Sequence, residues 1–184
     1  ATLRLANFSG ANLSDANLSE AILNGDDLTG TGANLNGVNL SYTYISNANL
    51  SGLDLSNANL QNAELRNANL SGADLSNTNL SRTELPNANL SGADLSDANL
   101  FMTWLSGANL QNANLSGAEL SNTDLSGADL TDANLSGADL SNAYLTDANL
   151  TDVIAENLTG CPSALPTGWA VSYTHLRAHE TVLH

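Results

Sequence analysis

The chain has 184 residues, 42% of them hydrophobic but only 4% aromatic, and carries a formal charge of −15 with no lysine and four arginines. So few aromatics cannot furnish an ordinary globular core, and no apolar run approaches the length needed to span a bilayer. Such a surface repels nucleic acid and anionic membrane, so direct binding to either is not expected; the charge serves solubility in the first place, with a basic protein surface, including one that normally holds DNA, as the alternative reading.

The first residue, Ala1, already stands in the phase of a repeat: Ala1–Leu3, Ala6–Phe8, Ala11–Leu13 and Ala16–Leu18 pair a small residue with a large one two places on. There is no initiator Met, so the segment reads as truncated. A missing leader or anchor leaves the compartment open, with the cytoplasm favoured. The phase slips by two at 24–32, Asn24-Gly-Asp-Asp-Leu-Thr-Gly-Thr-Gly32, because Leu28 and Leu35 are seven apart. Asp26 then falls at an inward position, where a bare carboxylate is costly, so a small bulge or loop is expected there.

From Leu35 to Leu150 every fifth residue is Leu, with Ile45 the one exception. Most units also carry Ala two places before the Leu. A period of five fits no regular element. On a helix successive leucines would land about 140° apart, and on a single strand they would alternate between faces. The pattern is coherent only if each unit contains its own bend, which Asn, Asp, Ser and Gly supply. Leu and Ala then point to one side and fill a narrow interior, and the coils stack into a solenoid.

These residues resemble the pentapeptide-repeat family, whose consensus is A(D/N)LXX. The resemblance covers Ala1 to about Asp152. It implies an all-β fold, a right-handed quadrilateral parallel β-helix of about seven coils with four units each. Leu and Ala would face inward and the other three residues outward. Aligned modulo 20, three columns at the position before the Leu are monotonous. They run Asn49, Asn69, Asn89, Asn109, Asp129, Asn149; then Asn39, Asn59, Asn79, Asn99, Glu119, Asp139; then Asn34, Asp54, Asp74, Asp94, Asn114, Asn134. The fourth is not: Tyr44, Glu64, Glu84, Trp104, Asp124, Tyr144. Four of the threonines that replace the inward Ala (Thr43, Thr83, Thr103, Thr123) fall in the same column. A four-sided prism with one distinct face is expected.

Residues 153–170 contain Cys161, Pro162, Pro166 and Trp169 and read as a C-terminal cap or inter-block segment, with Leu165 and Trp169 covering the last coil. The lone Cys161 leaves the redox compartment open. Val171–Thr181 matches the conceptual translation of a transposase sequencing adapter, so 171–184 is taken as a non-native tail. His175, His179 and His184 lie in it, and their spacing therefore carries no metal site.

No catalytic, cofactor-binding or metal-binding constellation is expected, and no enzyme activity. Asp54, Asp74 and Asp94 stack one coil apart and are read as a solvated ladder rather than a cation site. The candidate protein-contact face is Tyr42, Tyr44, Arg82, Glu84, Phe101, Met102 and Trp104, flanked by Arg66 and Pro86. The main functional reading is a scaffold or protein-interaction module with an unidentified protein partner. Within the resembled family, quinolone-resistance members mimic DNA and engage DNA gyrase, which gives a second reading. Those members dimerise through a C-terminal helix that Pro162, Pro166 and Gly168 oppose here, so a monomer is expected. A passive spacer within a longer protein is the third.

Overall fold

The computed structural model describes residues 10–29, 33–167, 169–172 and 175–178. The repeat centres Ala1–Leu3 and Ala6–Phe8, residues 30–32 of the phase slip, and His179 and His184 lie outside the described residues. Parallel bridges join each outward residue to the one a coil later: Asn49↔Asn69↔Asn89, Asp54↔Asp74↔Asp94, Asn59↔Asn79↔Asn99 and Tyr44↔Glu64↔Glu84↔Trp104. The partners are 20 apart, so four five-residue units make one coil. The fold is a right-handed quadrilateral parallel β-helix.

Every N–H of a typical unit has a fixed destination, which explains the consensus residue by residue. Around Leu50, Ala48 donates to Ile45 O at 3.2 Å, closing a turn within the coil. Asn49 donates back to the preceding coil at Asp26 O, while Leu50 and Gly52 donate forward to Asn69 O and Ser71 O. The remaining N–H, of Ser51, is taken by the side chain of Asn49, whose Oδ1 accepts it at 3.3 Å. The same side-chain bond recurs at Asp74–Ser76 and Asn79–Ser81. The Asn or Asp before the Leu is therefore a turn-forming acceptor.

The second residue after the Leu has a different task. It has φ near +60° throughout, the left-handed region that Gly enters freely and Asn or Asp tolerates. Inside, Leu55 to Leu145 are fully buried, with Ala layers beside them in one continuous cluster. Each such Leu contributes about 1.5–3 kcal/mol relative to exposure. Where Thr replaces the Ala it is also fully buried. Thr83, Thr103 and Thr123 satisfy their hydroxyls by donating to Leu60, Leu80 and Leu100 O, at 2.7–2.8 Å. These hydroxyls clamp successive coils from within.

Two departures occur at the ends. In the first coil the partners are 22 apart (Asn12↔Asn34, Asp27↔Asn49), so two surplus residues fall between Asp27 and Asn34. Asp26 is buried in a regular unit rather than in a bulge; its N–H reaches Leu23 O and its carbonyl accepts from Asn49. The coil geometry closes before the extra residues are absorbed, so the slip displaces nothing at Asp26. At the other end, bridges continue through Ile154, Thr159 and Ala164. There the filling inverts: Leu158 is buried at the Ala position and Gly160 stands at the Leu position. Leu165 packs partly buried against the core. Beyond it, β1 (Trp169–Ser172) and β2 (His175–Ala178) pair antiparallel.

Two hydrogen-bonded carboxylates on different sides, Asp129 and Asp94, set a pH dependence. Hydrogen bonds from the Thr131 hydroxyl, Gln111, the Thr131 N–H and Asn149 hold the Asp129 carboxyl below the usual carboxylate range, against a smaller upward push from burial. For Asp94 burial is the largest single influence and pushes upward, but bonds from Ser96 and Asn114 together outweigh it and leave the group lowered. A lowered folded-state value means that the unfolded chain binds protons first on acidification. The stabilisation is thus fully present above the ordinary carboxylate value of 3.8 and is lost as pH falls through the folded value below it. We expect the melting temperature to be level from pH 7 to about 5 and to fall below about 4. Asp129→Asn should flatten that fall, read by circular dichroism melts; an unchanged acid limb would count against this origin.

Candidate interaction face

One face departs from both local rules. Of the described non-glycine residues with positive φ, all are Asn or Asp except Glu20 (φ 59°), Tyr42 (57°), Arg82 (59°) and Met102 (55°). These four stack on a single corner, since Glu20 N–H reaches Ser41 O, Tyr42 N–H reaches Gln61 O and Arg82 N–H reaches Phe101 O. Side chains without a local acceptor cost about 1–2 kcal/mol in this conformation.

The adjacent column gives up the turn-forming acceptor as well. Asp124 still accepts the N–H of Ser126 at 3.0 Å. Tyr44, Glu64, Glu84, Trp104 and Tyr144 make no such bond among the described residues. Two local repairs follow. Ser46 N–H is taken instead by Asn24 Oδ1 from the coil before, at 2.8 Å. Pro86, the residue that Glu84 would have had to serve, has no N–H to satisfy.

The structure divides the predicted contact residues into two groups. Arg82, Glu84, Met102 and Trp104 line one shallow depression together with Asn62, Asn122 and Tyr144. Tyr42 and Tyr44 are exposed nearer the N-terminal end, with the Glu64 rung between Tyr44 and Glu84. Phe101 is half-buried; its N–H is held by Asn99 Oδ1 and its carbonyl by Arg82 N–H, so its backbone is regular. Arg66 pairs with Glu84 across adjacent coils. The pair is exposed on the Arg side and worth about 0–1 kcal/mol.

Tyr144 lines the same depression and is not among the predicted residues. It is 50% exposed, and with Tyr42, Tyr44, Met102 and Trp104 (52%) it puts five of the six large exposed hydrophobics of the described residues on this face; Ile154 is the sixth. Its signal was the period of 20 itself, which places it two rungs beyond Trp104.

Asp54, Asp74 and Asp94 lie on another side of the rod. They do stack, but each carboxylate is engaged by the serine two places on, at 3.0 Å from its N–H. No group of His, Cys, Asp or Glu among the described residues could hold a metal ion. No helix among them is long and apolar enough to cross a membrane.

A solenoid whose coils each hold four five-residue units with inward Leu and Ala defines the class, and the chain belongs to the pentapeptide-repeat family. The family model for pentapeptide repeats matches eight copies, spanning residues 1–25 and, in overlapping stretches, 33–161. Proteins of this family are generally non-enzymatic structural or interaction proteins. Among solved structures, trypsin-treated QnrB1, a plasmid-mediated fluoroquinolone resistance protein, is similar over 90% of this chain and 88% of its own, at 18% identity and a TM-score of 0.55. HetL from Nostoc sp. PCC 7120, a pentapeptide-repeat protein involved in regulating heterocyst differentiation, is 31% identical over 86% of both chains, with a TM-score of 0.44. A pentapeptide-repeat protein of the Arabidopsis thaliana thylakoid lumen is 33% identical over 49% of this chain, which spans 63% of that protein's length; the TM-score is 0.48. No curated protein matches.

Proposed function

We propose that this protein is a non-enzymatic scaffold that binds a protein partner through the face built on Tyr42, Arg82, Met102, Tyr44, Glu84, Trp104 and Tyr144. The observation that carries this reading is the clustering of cost. Among the described residues, every left-handed position filled by something other than Gly, Asn or Asp lies on one corner, beside the column that keeps its turn acceptor only at Asp124. A face that drifted without use would scatter its departures over four corners. Retained local strain in one place is how binding surfaces differ from the scaffold that bears them.

The test compares the intact chain with Met102→Asn plus Trp104→Asn in affinity capture with quantitative mass spectrometry. Both substitutions restore the repeat consensus, so the coil persists. We expect at least one specific partner to fall about tenfold in recovery, since exposed aromatics are frequent binding hot spots. Recovery of the same partners in the same amounts would sink this face and leave the passive spacer.

A second reading, inhibition or protection of DNA gyrase, draws on the charge of −15 together with the fold likeness to QnrB1. That likeness concerns the fold alone. A supercoiling assay with and without quinolone, showing neither inhibition nor protection, removes this reading.

A further inference from the structure

The distinct column holds an aromatic–carboxylate–aromatic ladder. Bridges Trp104↔Asp124 and Asp124↔Tyr144 place the three residues on consecutive coils of one flat face. Coil spacing of about 4.8 Å puts the two aromatic positions about 10 Å apart with the carboxylate midway. Trp104 and Tyr144 are half-exposed, and Asp124 is partly exposed between them. The Ser126 N–H at Asp124 Oδ1 fixes the carboxylate, so the site is preorganised. No cation of the described residues pairs with it: the ion pair found joins Arg66 to Glu84.

We infer that this ladder docks a basic protein segment, seating an arginine or lysine side chain on Asp124 between the Trp104 and Tyr144 rings. The inference rests on the proposed contact face and gives its partner a chemistry. A cation centred over the carboxylate lies within about 6 Å of both rings, the range in which ring faces attract positive charge. The rings also cover the aliphatic stem of the same side chain, which a carboxylate alone cannot do. The chain's charge of −15 draws a basic segment from a distance. Met102 and the depression it lines with Trp104 and Tyr144 offer apolar room for the residue beside the cation. An acidic column without rings, such as Asp54–Asp74–Asp94, offers charge but no ring contact, and its carboxylates each take a second hydrogen bond, from the Ser56 and Ser76 hydroxyls and the Asn114 amide, beyond the single serine N–H that holds Asp124.

The test is fluorescence anisotropy of a labelled Gly-Arg repeat peptide of about ten residues with the full chain. Asp124→Asn keeps the turn, because the amide oxygen still accepts the Ser126 N–H, and Trp104→Asn restores the consensus. Each should weaken binding about tenfold. Asp74→Asn, with the same charge change on another face, should alter it less than twofold. Equal losses for Asp74→Asn and Asp124→Asn would show diffuse attraction to an acidic rod and overturn the inference. So would binding of a neutral cello-oligosaccharide that depends on Trp104 but not on Asp124, since rings about 10 Å apart on a flat face also suit stacked sugars. Partner recovery that depends on Met102 and Trp104 but not on Asp124 would overturn the ladder while leaving the contact face intact. Recovery indifferent to all three would overturn both.

Discussion

Leu95→Ala should destabilise the protein by about 2–5 kcal/mol, the range for deleting a buried leucine side chain. Leu95 is fully buried at mid-array, with Leu75 and Leu115 one coil away on either side. The hole cannot close by collapse. The backbone on both sides is pinned to its neighbours by Leu95 N–H to Asn114 O at 2.7 Å and by Asp94 N–H to Ala73 O at 3.0 Å. A globular core would relax a side chain into the void; here the neighbours are identical layers already in contact. Because each coil touches only the next, the loss falls on one interface and should also weaken the coupling between the halves. Urea unfolding monitored by circular dichroism should therefore show a lower midpoint and a broader or split transition. A loss below about 1 kcal/mol would mean that the interior is not continuously packed.

The second large effect has the opposite sign. Replacing Tyr42, Arg82 and Met102 together by Asn should stabilise the protein by roughly 1 kcal/mol per site, about 3 kcal/mol in all. All three have φ between 55° and 59°, where Asn is tolerated and a long side chain is not. Asn62, Asn122 and Asn142 already occupy the same corner, so the variant would present a run of six asparagines. Amides one coil apart can bond along such a run, as Asn67 does to Asn47 at 3.3 Å on a neighbouring corner. Positions 82 and 102 are on adjacent coils and should couple, so their effects need not add. The side chains removed are exposed, and little burial is lost in exchange. The check is thermal and urea unfolding of the triple variant beside the intact chain. A neutral or destabilising result would remove the argument that this corner is held against its own stability. A more stable protein that has lost its partner would separate binding from folding in a single variant.

The four-sided prism was legible because a strict period of five, with its departures clustered at twenty, leaves one geometry open. The inward roles of Leu and Ala followed from the same period. Two things were not legible. Asn occurs both before the Leu and two places after it, as at Asn59 and Asn62, and composition cannot separate the two tasks. One supplies an acceptor to Gln61 N–H and the other adopts a left-handed backbone. Nor did the sequence reveal that coils continue to Ala164, because Leu158 and Gly160 exchange the large and small positions and so hide the repeat. Of the candidate face, Arg82, Glu84, Met102 and Trp104 line one depression with Tyr144, whereas Tyr42 and Tyr44 stand nearer the N-terminal end; the period of twenty names the distinct column but not which of its rungs share a hollow.

The bridge register also constrains how such a gene can change length. Loss of five codons between residues 45 and 103 would leave every core position filled, yet turn all later coils by a quarter. Tyr44 would then stand above a different side from Trp104 and Tyr144, and the ladder would be cut from its upstream half. Loss of twenty codons would shorten the rod by one coil and keep the sides aligned. The fold thus counts in fives, but a binding side written along the rod can be inherited only in twenties.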